Sequence, residues 1–255
     1  MTAKESDGET GAAGRERGPR LTAQRVIDGA VVLADRIGTD ALTIRRLADA
    51  IDVKPMTIYH HVPNKEAIID GMVDRVFAEV DLPPTDTDWR SAILVRCTSM
   101  RGVLARHPWA APLMETRTSP GPATLRHHDA VLGCFRRAGF SLELTGHAYA
   151  IVDSFLYGFA QQEATLPATS GDDMAELAAS MAEQMPADLY PHLTEFTIDH
   201  VLQPGYDFGN EFDVGIELIL DGLALAADEE RSGWAGSSSG GENSDARRAV
   251  PTPSE

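Results

Sequence analysis

One segment, LTIRRLADAIDVKPMTIYHHVPNK at residues 42–65, limits what this chain can fold into more than any other. Thr43 can cap a helix whose inner face carries apolar residues at three- and four-residue spacing. The sequence DVK breaks that pattern, and Pro55 restarts it at a first helical position, where its missing N–H costs nothing. Pro63 and Asn64 end this short second helix, and Asn64 can cap the next one. Two short helices joined by a three-residue turn predict a helix-turn-helix.

The rest of the chain is dominated by helical periodicity, and no convincing alternating strand occurs in the sequence. The pattern predicts a first helix over residues 22–37 and a fourth from Asn64 to about residue 80. After the linker DLPPTDTD, it predicts helices at residues 89–106, 109–114, 122–138, 142–164, 172–185, 191–202 and 208–227. We therefore predict an all-α protein with an N-terminal three-helix helix-turn-helix head and a larger helical domain.

Composition divides the chain into four parts. Both ends are polar and rich in Gly, with Ser and Pro added at the C-terminus, so they should be disordered. The predicted parts are a disordered arm at residues 1–20, a helix-turn-helix domain at 21–80, a helical domain at 87–227 and a disordered tail at 228–255.

The distribution of charge matters more than its total. The formal net charge is −17, which taken alone argues against nucleic acid. Between Arg15 and Lys65, however, nine basic residues face six acidic ones, a local net charge of +3. The acidic remainder should be repelled by a polyanion, so any DNA contact must be confined to the basic head.

Several functional classes receive no support from the sequence. The N-terminus lacks the apolar run of a signal peptide, and no apolar stretch approaches the roughly 18 residues that span a bilayer. The two cysteines, Cys97 and Cys134, are read as small buried residues in a reducing compartment. No CxxC motif or Gly-rich phosphate loop occurs. We expect a cytoplasmic protein without membrane contact, metal ion or cofactor.

The short helix that begins at Pro55 carries the side chains expected to read DNA. Ile58 and Val62 should face inward and anchor the helix. A polar and aromatic outer face with a cation suits a base edge beside a phosphate. The residues left on that face are Met56, Thr57, Tyr59, His60, His61 and Lys65.

The segment LTIRRLADAIDVKPMTIYHHVPNKEAIIDGM resembles the DNA-binding head of tetracycline-repressor (TetR) family regulators. The body motifs HPWAAPLMETR, AGFSLELTGHAYAIVDSFLYGFA and FDVGIELILDGL resemble the tetracycline-repressor type of ligand-binding and dimerisation domain. The resemblance covers about residues 20–227. It implies a repressor, not an enzyme, that binds a palindromic double-stranded DNA operator as a homodimer and is released by a small-molecule inducer. A helical enzyme whose head is only a packing unit is the alternative.

By position, the resemblance implies roles for individual residues in the head. Arg45 would reach base edges, and arginine to guanine is the commonest specific contact. Pro55, Met56, Thr57, Tyr59 and His60 would present the recognition surface. The residues that would hold phosphates are Thr43, Tyr59, His61 and Lys65. The arm with Arg15, Arg17 and Arg20 would either add backbone or minor-groove contacts or serve only as a solubilising tail.

The resemblance also implies a ligand pocket, lined in part by Thr116 and Arg117. Leu113 stands where the tetracycline repressor has a metal-binding histidine, and Val95 stands where it has a drug-contacting asparagine. These differences predict a largely apolar inducer with one acceptor end, bound without a metal ion. A stripe of Met174, Leu177, Met181 and Met185 is either core or a hydrophobic ligand gate.

Two predicted helices carry more apolar surface than one buried face requires, which predicts a dimer. One seam contains Phe208, Phe212, Gly215, Ile219, Gly222 and Ala226, with a second face at Ile216, Leu220 and Leu223. The long middle helix shows a matching seam at Leu144, Ala148, Ile151, Phe155 and Gly158. One face can pack within the subunit while the other packs against a partner.

His127 and His128 are adjacent in the sequence, so their side chains should diverge around their helix. Both are therefore predicted to be surface residues.

Overall fold

A computed structural model describes residues 20–166, 176–177, 179–181 and 186–238. The chain divides into two compact units, residues 1–72 and residues 73–255. Within the described ranges, every regular element is helical, which confirms the predicted all-α class.

The first unit contains α1 at Ala23–Ile37, α2 at Ile44–Ala50, α3 at Pro55–Ile58 and the beginning of α4 at Lys65–Phe77, which ends in the second unit. Polar side chains fix where these helices begin. The Thr22 and Thr43 hydroxyls accept backbone N–H bonds from Arg25 and Arg46, and the Asn64 side-chain oxygen accepts one from Ala67. These caps satisfy N–H groups that lack a partner inside the helix.

The core of the first unit lies where α2 packs against α1 and α3. A side chain at Gly29 would come within 2.3 Å of the Ile51 side chain, so glycine is what allows α1 and α2 to approach closely. The members of this core are Val26, Ala30, Leu33, Ala34, Leu47, Ala48, Ile58, Val62, Ile68 and Met72. Their spacing follows the inward faces predicted from the sequence.

The second unit is built around one long helix. Its elements are α5 at Trp89–Arg106, α6 at Ala111–Met114, α7 at Pro122–Arg137, α8 at Leu142–Thr165, α9 at Pro191–Phe196, a wider π-helical turn at Thr197–Val201, and α10 at Asn210–Ser238. The central helix α8 contacts α5, α6, α7 and α10. The α8–α10 contact is aromatic, since Phe155 stacks on Phe212. Phe159 of α8 stacks on Phe208, which lies just before α10 begins.

Two stretches differ from the sequence prediction. The final helix continues to Ser238, where the sequence predicts a disordered tail from residue 228. The predicted helix at 191–202 changes from α to π geometry after Phe196. The predicted disorder at residues 1–19 and 239–255 lies outside the described residues. So do Met174 and Met185 of the predicted stripe, whereas Leu177 is half-buried and Met181 is exposed.

Candidate DNA-binding and ligand-binding sites

In the first unit, α3 presents an outer face anchored by a buried inner one. Ile58 is fully buried and Val62 nearly so, whereas Met56 is 70% exposed and Tyr59 is 43% exposed. Backbone bonds from His60 N–H to Thr57 O and from His61 N–H to Ile58 O continue the helical turn past its last regular residue. The inward and outward faces predicted from the sequence are therefore confirmed for α3.

The predicted DNA-contacting residues lie on or beside α2 and α3. Thr43 caps α2 and Pro55 occupies the first turn of α3, as the sequence predicts. Arg45 is exposed on the first turn of α2, and Lys65 is exposed at the start of α4. The remaining predicted residues, Thr57 and His61, are half-buried, and His60 is exposed. The structure thus brings these predicted residues together on neighbouring elements of one unit.

The turn between α2 and α3 contains an unusual backbone conformation. Asp52 has a φ of 56°, in the left-handed region that favours glycine. Its backbone N–H bonds to Asp49 O, and the next N–H, of Val53, bonds to Ala48 O, so the end of α2 is closed. Aspartate tolerates this region better than most residues because its short polar side chain can bond locally.

In the second unit, the predicted ligand-contacting residues are spread over two segments. Val95 is 46% exposed and lines a surface hollow of about 610 Å³ together with Thr98, Ser99 and Arg106. Leu113 and Arg117 are half-buried and Thr116 is exposed. The Thr116 hydroxyl donates to the backbone carbonyls of Pro112 and Leu113. None of these four residues belongs to the buried polar cluster that includes Arg96 of α5.

That buried polar cluster consists of Arg96 on α5, His127 on α7, and Asp153 and Tyr157 on α8. Arg96 and His127 are 0% exposed. The Arg96 Nε–H donates to His127 Nε2 at 3.0 Å, and Arg96 Nη1 lies 2.7 Å from Asp153 Oδ1. This last pair has the distance of an ion pair without the alignment of a hydrogen bond. The cluster therefore joins three helices through charged and polar groups in the middle of the core.

Burial controls the protonation of these groups. Burial and the positive charge of Arg96 lower the pKa of His127 to about 3, so its ring is neutral near pH 7. Burial alone would lower the pKa of Arg96, but the nearby Asp153, Cys97 and Tyr157 together outweigh burial and the pKa is raised. Burial also raises the pKa of the Tyr157 hydroxyl, which keeps it protonated. The cluster thus holds one positive and one negative charge.

The prediction that His127 and His128 are surface residues was wrong. His127 is fully buried, and His128 is half-buried with its Nδ1 hydrogen-bonded to the Tyr149 hydroxyl. Neighbouring side chains on a helix are only about 100° apart, so both can point into a broad core. Arg96 was not predicted as a site residue either. Its signal was present, because it falls at four-residue spacing between the buried residues Ala92 and Met100.

The end of α4 touches this cluster within the second unit. The Phe77 ring lies 5.0 Å from the His127 ring and 5.4 Å from the His128 ring. One turn earlier, Asp74 Oδ1 accepts hydrogen bonds from the backbone N–H of Thr124 (2.8 Å) and from its hydroxyl (3.0 Å), which caps the start of α7. A change at His127 would therefore alter its packing against Phe77 of α4.

One face of α10 leaves apolar side chains exposed. Val214, Leu218 and Leu225 are 56%, 67% and 66% exposed, and Gly222 has open space around it. Phe212 and Gly215, which the sequence placed on the same seam as Ile219, instead pack against Phe155 inside the subunit. The exposed face is therefore offset from the predicted seam, and Ile219 is half-buried.

The part of the chain that the structure describes contains no group of three or more His, Cys, Asp or Glu side chains placed to hold a metal ion. None of its helices combines the length and apolar character needed to cross a bilayer. Cys97 and Cys134 are buried and free, as predicted, and burial raises the pKa of both thiols.

These features define a protein of the helix-turn-helix class with a second, helical unit. Residues 26–72 match the family of bacterial regulatory proteins called the tetR family, and residues 82–226 match the tetracyclin repressor-like C-terminal domain. The chain belongs to the TetR family of transcriptional regulators.

Characterised relatives agree with this family assignment. An HTH-type transcriptional regulator of Saccharopolyspora erythraea is 33% identical over 82% of this chain and 87% of its own length. The class A tetracycline repressor protein from transposon 1721 of Escherichia coli is 32% identical over 80% of this chain and 91% of its own length. A similar fold occurs in the crystal structure of the TetR-family protein ActR of Streptomyces coelicolor in complex with actinorhodin, with a TM-score of 0.68. The two sequences are 26% identical, and the match covers 82% of this chain and 99% of the ActR chain.

Proposed function

We propose that this chain is a ligand-responsive transcriptional repressor. The observation that carries the proposal is the outer face of α3, where Tyr59 and Met56 are exposed on a helix that Ile58 anchors to the core. A short helix of this kind enters the major groove in helix-turn-helix proteins. The relatives include proteins named as repressors, and ActR has been crystallised with small molecules. Thr43, Arg45 and Lys65 are suited to the flanking base and phosphate contacts.

The buried polar cluster is the site at which we place the inducer. Arg96, His127 and Asp153 lie in the core of the second unit. Burying polar and charged side chains destabilises the folded state unless they are hydrogen-bonded or paired. Phe77 contacts His127 from α4, the helix that begins in the DNA-binding unit. Occupancy of the cluster would therefore act on α4 first and reach the DNA-binding unit through that continuous helix.

The exposed apolar face of α10 supports a homodimer and, with it, a palindromic operator. Val214, Leu218 and Leu225 are the kind of surface that a second copy covers by two-fold packing, and Ile151 on α8 is exposed as well. A two-fold dimer presents two α3 helices to half-sites about 34–36 Å apart, one turn of DNA. The operator should therefore be a palindrome.

Binding rather than catalysis is the role we assign to the cluster. The nearest nucleophile, Cys97, has a pKa raised by burial, so its reactive thiolate form is suppressed. The tyrosine hydroxyls are held protonated. We therefore infer that the chain is not an enzyme and that it acts in the cytoplasm, where its DNA is.

The test is a DNA-binding measurement with the full-length chain. An operator would be selected from a pool of random duplexes, and its affinity measured by fluorescence anisotropy against a scrambled duplex. Tyr59→Ala should weaken operator binding by about 1–3 kcal/mol because it removes surface contacts and no core volume. Val32→Ala, at an exposed position of α1, serves as the matched control and should bind like wild type. Equal affinity of the wild-type protein for operator and scrambled duplex would refute the repressor function.

A further inference from the structure

The buried polar cluster contains atoms that lack partners. Among the residues that the structure describes, no hydrogen-bond partner exists for Arg96 Nη2, His127 Nδ1, Asp153 Oδ2 or the Tyr157 hydroxyl. All four residues are more than nine-tenths buried. Each buried polar atom left without a partner destabilises the fold. Four of them in one place indicate a site built to meet the polar groups of another molecule.

The hydrogen-bonding character of two of these atoms is defined by their neighbours. Arg96 Nε–H donates to His127 Nε2, so the neutral ring carries its proton on Nδ1, which is a donor. Arg96 Nη2 is also a donor, whereas the ionised Asp153 carboxylate can only accept. Arg96 Nη1 and Asp153 Oδ1 lie 2.7 Å apart, so the free donor Nη2 and the free acceptor Oδ2 belong to two groups that are in contact. A matching ligand needs an acceptor beside a donor.

The charge of the ligand is limited by the same pair. The Arg96 guanidinium and the Asp153 carboxylate offset each other, and His127 is neutral. A ligand with a net charge would add an unpaired charge to a buried site, and the desolvation of that charge would oppose binding. A neutral ligand adds none. The site should therefore discriminate by charge even between ligands of the same shape.

Flat side chains pack against His127 of the cluster and against its neighbour His128. The Phe77 ring packs against His127 and His128, and the Tyr149 ring lies 5.7 Å from His128. Aromatic walls of this kind favour a flat apolar body over a flexible or branched one.

We propose that the Arg96–Asp153 pair selects an uncharged aromatic ligand whose edge presents an acceptor beside a donor, as a carboxamide does, and that Asp153 rejects the isosteric carboxylate. The ligand oxygen accepts from Arg96 Nη2 while the ligand N–H donates to Asp153 Oδ2. The inference rests on the proposed function because it names the ligand chemistry of the same site. Asp153 is thus a specificity residue, since a neutral side chain there would leave Arg96 as an unpaired cation.

Three naphthalene derivatives of nearly equal size test this proposal: 2-naphthamide, 2-naphthoate and 2-acetonaphthone. The amide presents an acceptor and a donor, the ketone only the acceptor, and the naphthoate carries a negative charge. Their dissociation constants would be measured with the full-length protein by ligand-detected NMR titration, without DNA. We expect 2-naphthamide to bind at least tenfold more tightly than either of the others. Equal or tighter binding of 2-naphthoate, or no binding of any of the three, would overturn the proposal.

Asp153→Asn provides the decisive variant because it changes the charge with almost no change of shape. We expect the preference to reverse, with 2-naphthoate gaining at least tenfold relative to 2-naphthamide. Glu143→Gln on the same helix, where the side chain is 86% exposed, is the matched control and should retain the wild-type order. An unchanged ratio in folded Asp153→Asn protein would show that Asp153 does not select charge. If the variant fails to fold, the ratios of the three dissociation constants in wild-type protein still test the proposal. Operator binding is measured separately and tests the repressor function.

Discussion

Replacing His127 with glutamine should remove a pH-dependent part of the stability of residues 73–255. The folded protein lowers the pKa of this histidine from its ordinary value of 6.5 to about 3, through burial and the charge of Arg96. Between those values the unfolded chain binds a proton that the folded chain does not. The stability contributed by the neutral ring is therefore present above about pH 6.5 and is lost progressively as the pH falls toward 3.

The size of the effect follows from the same two values. One pKa unit corresponds to about 1.4 kcal/mol. Between pH 7 and pH 5, His127 alone should reduce the free energy of unfolding by about 2 kcal/mol. The lowered pKa of His128 acts in the same direction, but it is present in wild type and variant alike. Glutamine can still accept the hydrogen bond from Arg96 Nε and does not titrate.

The assay is urea denaturation followed by tryptophan fluorescence at pH 7 and pH 5. All tryptophans of the chain, Trp89, Trp109 and Trp234, lie in the second unit, so the signal reports on that unit. The wild-type protein should lose about 2 kcal/mol more than His127→Gln over this interval. His192→Gln, where the side chain is 97% exposed, should behave like wild type. An identical loss in wild type and His127→Gln would refute the assignment of a buried neutral ring.

Three further perturbations test the other sites. Leu218→Glu places a carboxylate on the exposed apolar face of α10, so we expect monomers by analytical ultracentrifugation and little operator binding by anisotropy. Leu125→Glu, at an exposed position of α7, is the control and should leave a dimer. A dimeric Leu218→Glu protein would exclude this face as the dimer interface. Lys65→Ala should weaken all duplexes alike and lower the salt slope of binding by about one unit, and a loss confined to the operator would contradict its phosphate role. Asp52→Gly should raise the free energy of unfolding of the first unit by up to about 1 kcal/mol because glycine adopts the left-handed backbone without strain, and destabilisation would show that the aspartate side chain is needed there.

Local structure in the first unit could be predicted because it depends on neighbours in the chain. Thr43 and Asn64 cap the helices that follow them, and Pro55 begins α3. Ile58 and Val62 are buried because helical spacing places them on one face, whatever that face packs against. These interactions span three or four residues, so the sequence alone was sufficient to locate the helix-turn-helix and its outer face.

The buried polar cluster depended on contacts that no local pattern contains. Arg96, His127 and Asp153 lie on three different helices, and only the packing of α5, α7 and α8 brings them within hydrogen-bonding distance. An arginine is usually exposed, so Arg96 was left unremarked, and the adjacency of His127 and His128 placed both on the surface.

The exposed apolar face of α10 shows the same division between sequence and tertiary structure. The excess of apolar residues along α10 was visible in the sequence, but Phe155 occupies the space beside Gly215 and so decides which face stays inside the subunit. Val214, Leu218 and Leu225 remain exposed. The sequence by itself determined the helices, their caps and the outer face of α3, because those follow from short-range periodicity. Only the tertiary structure decided which polar groups meet in the core and which apolar face remains outside, because both depend on side chains distant in the chain.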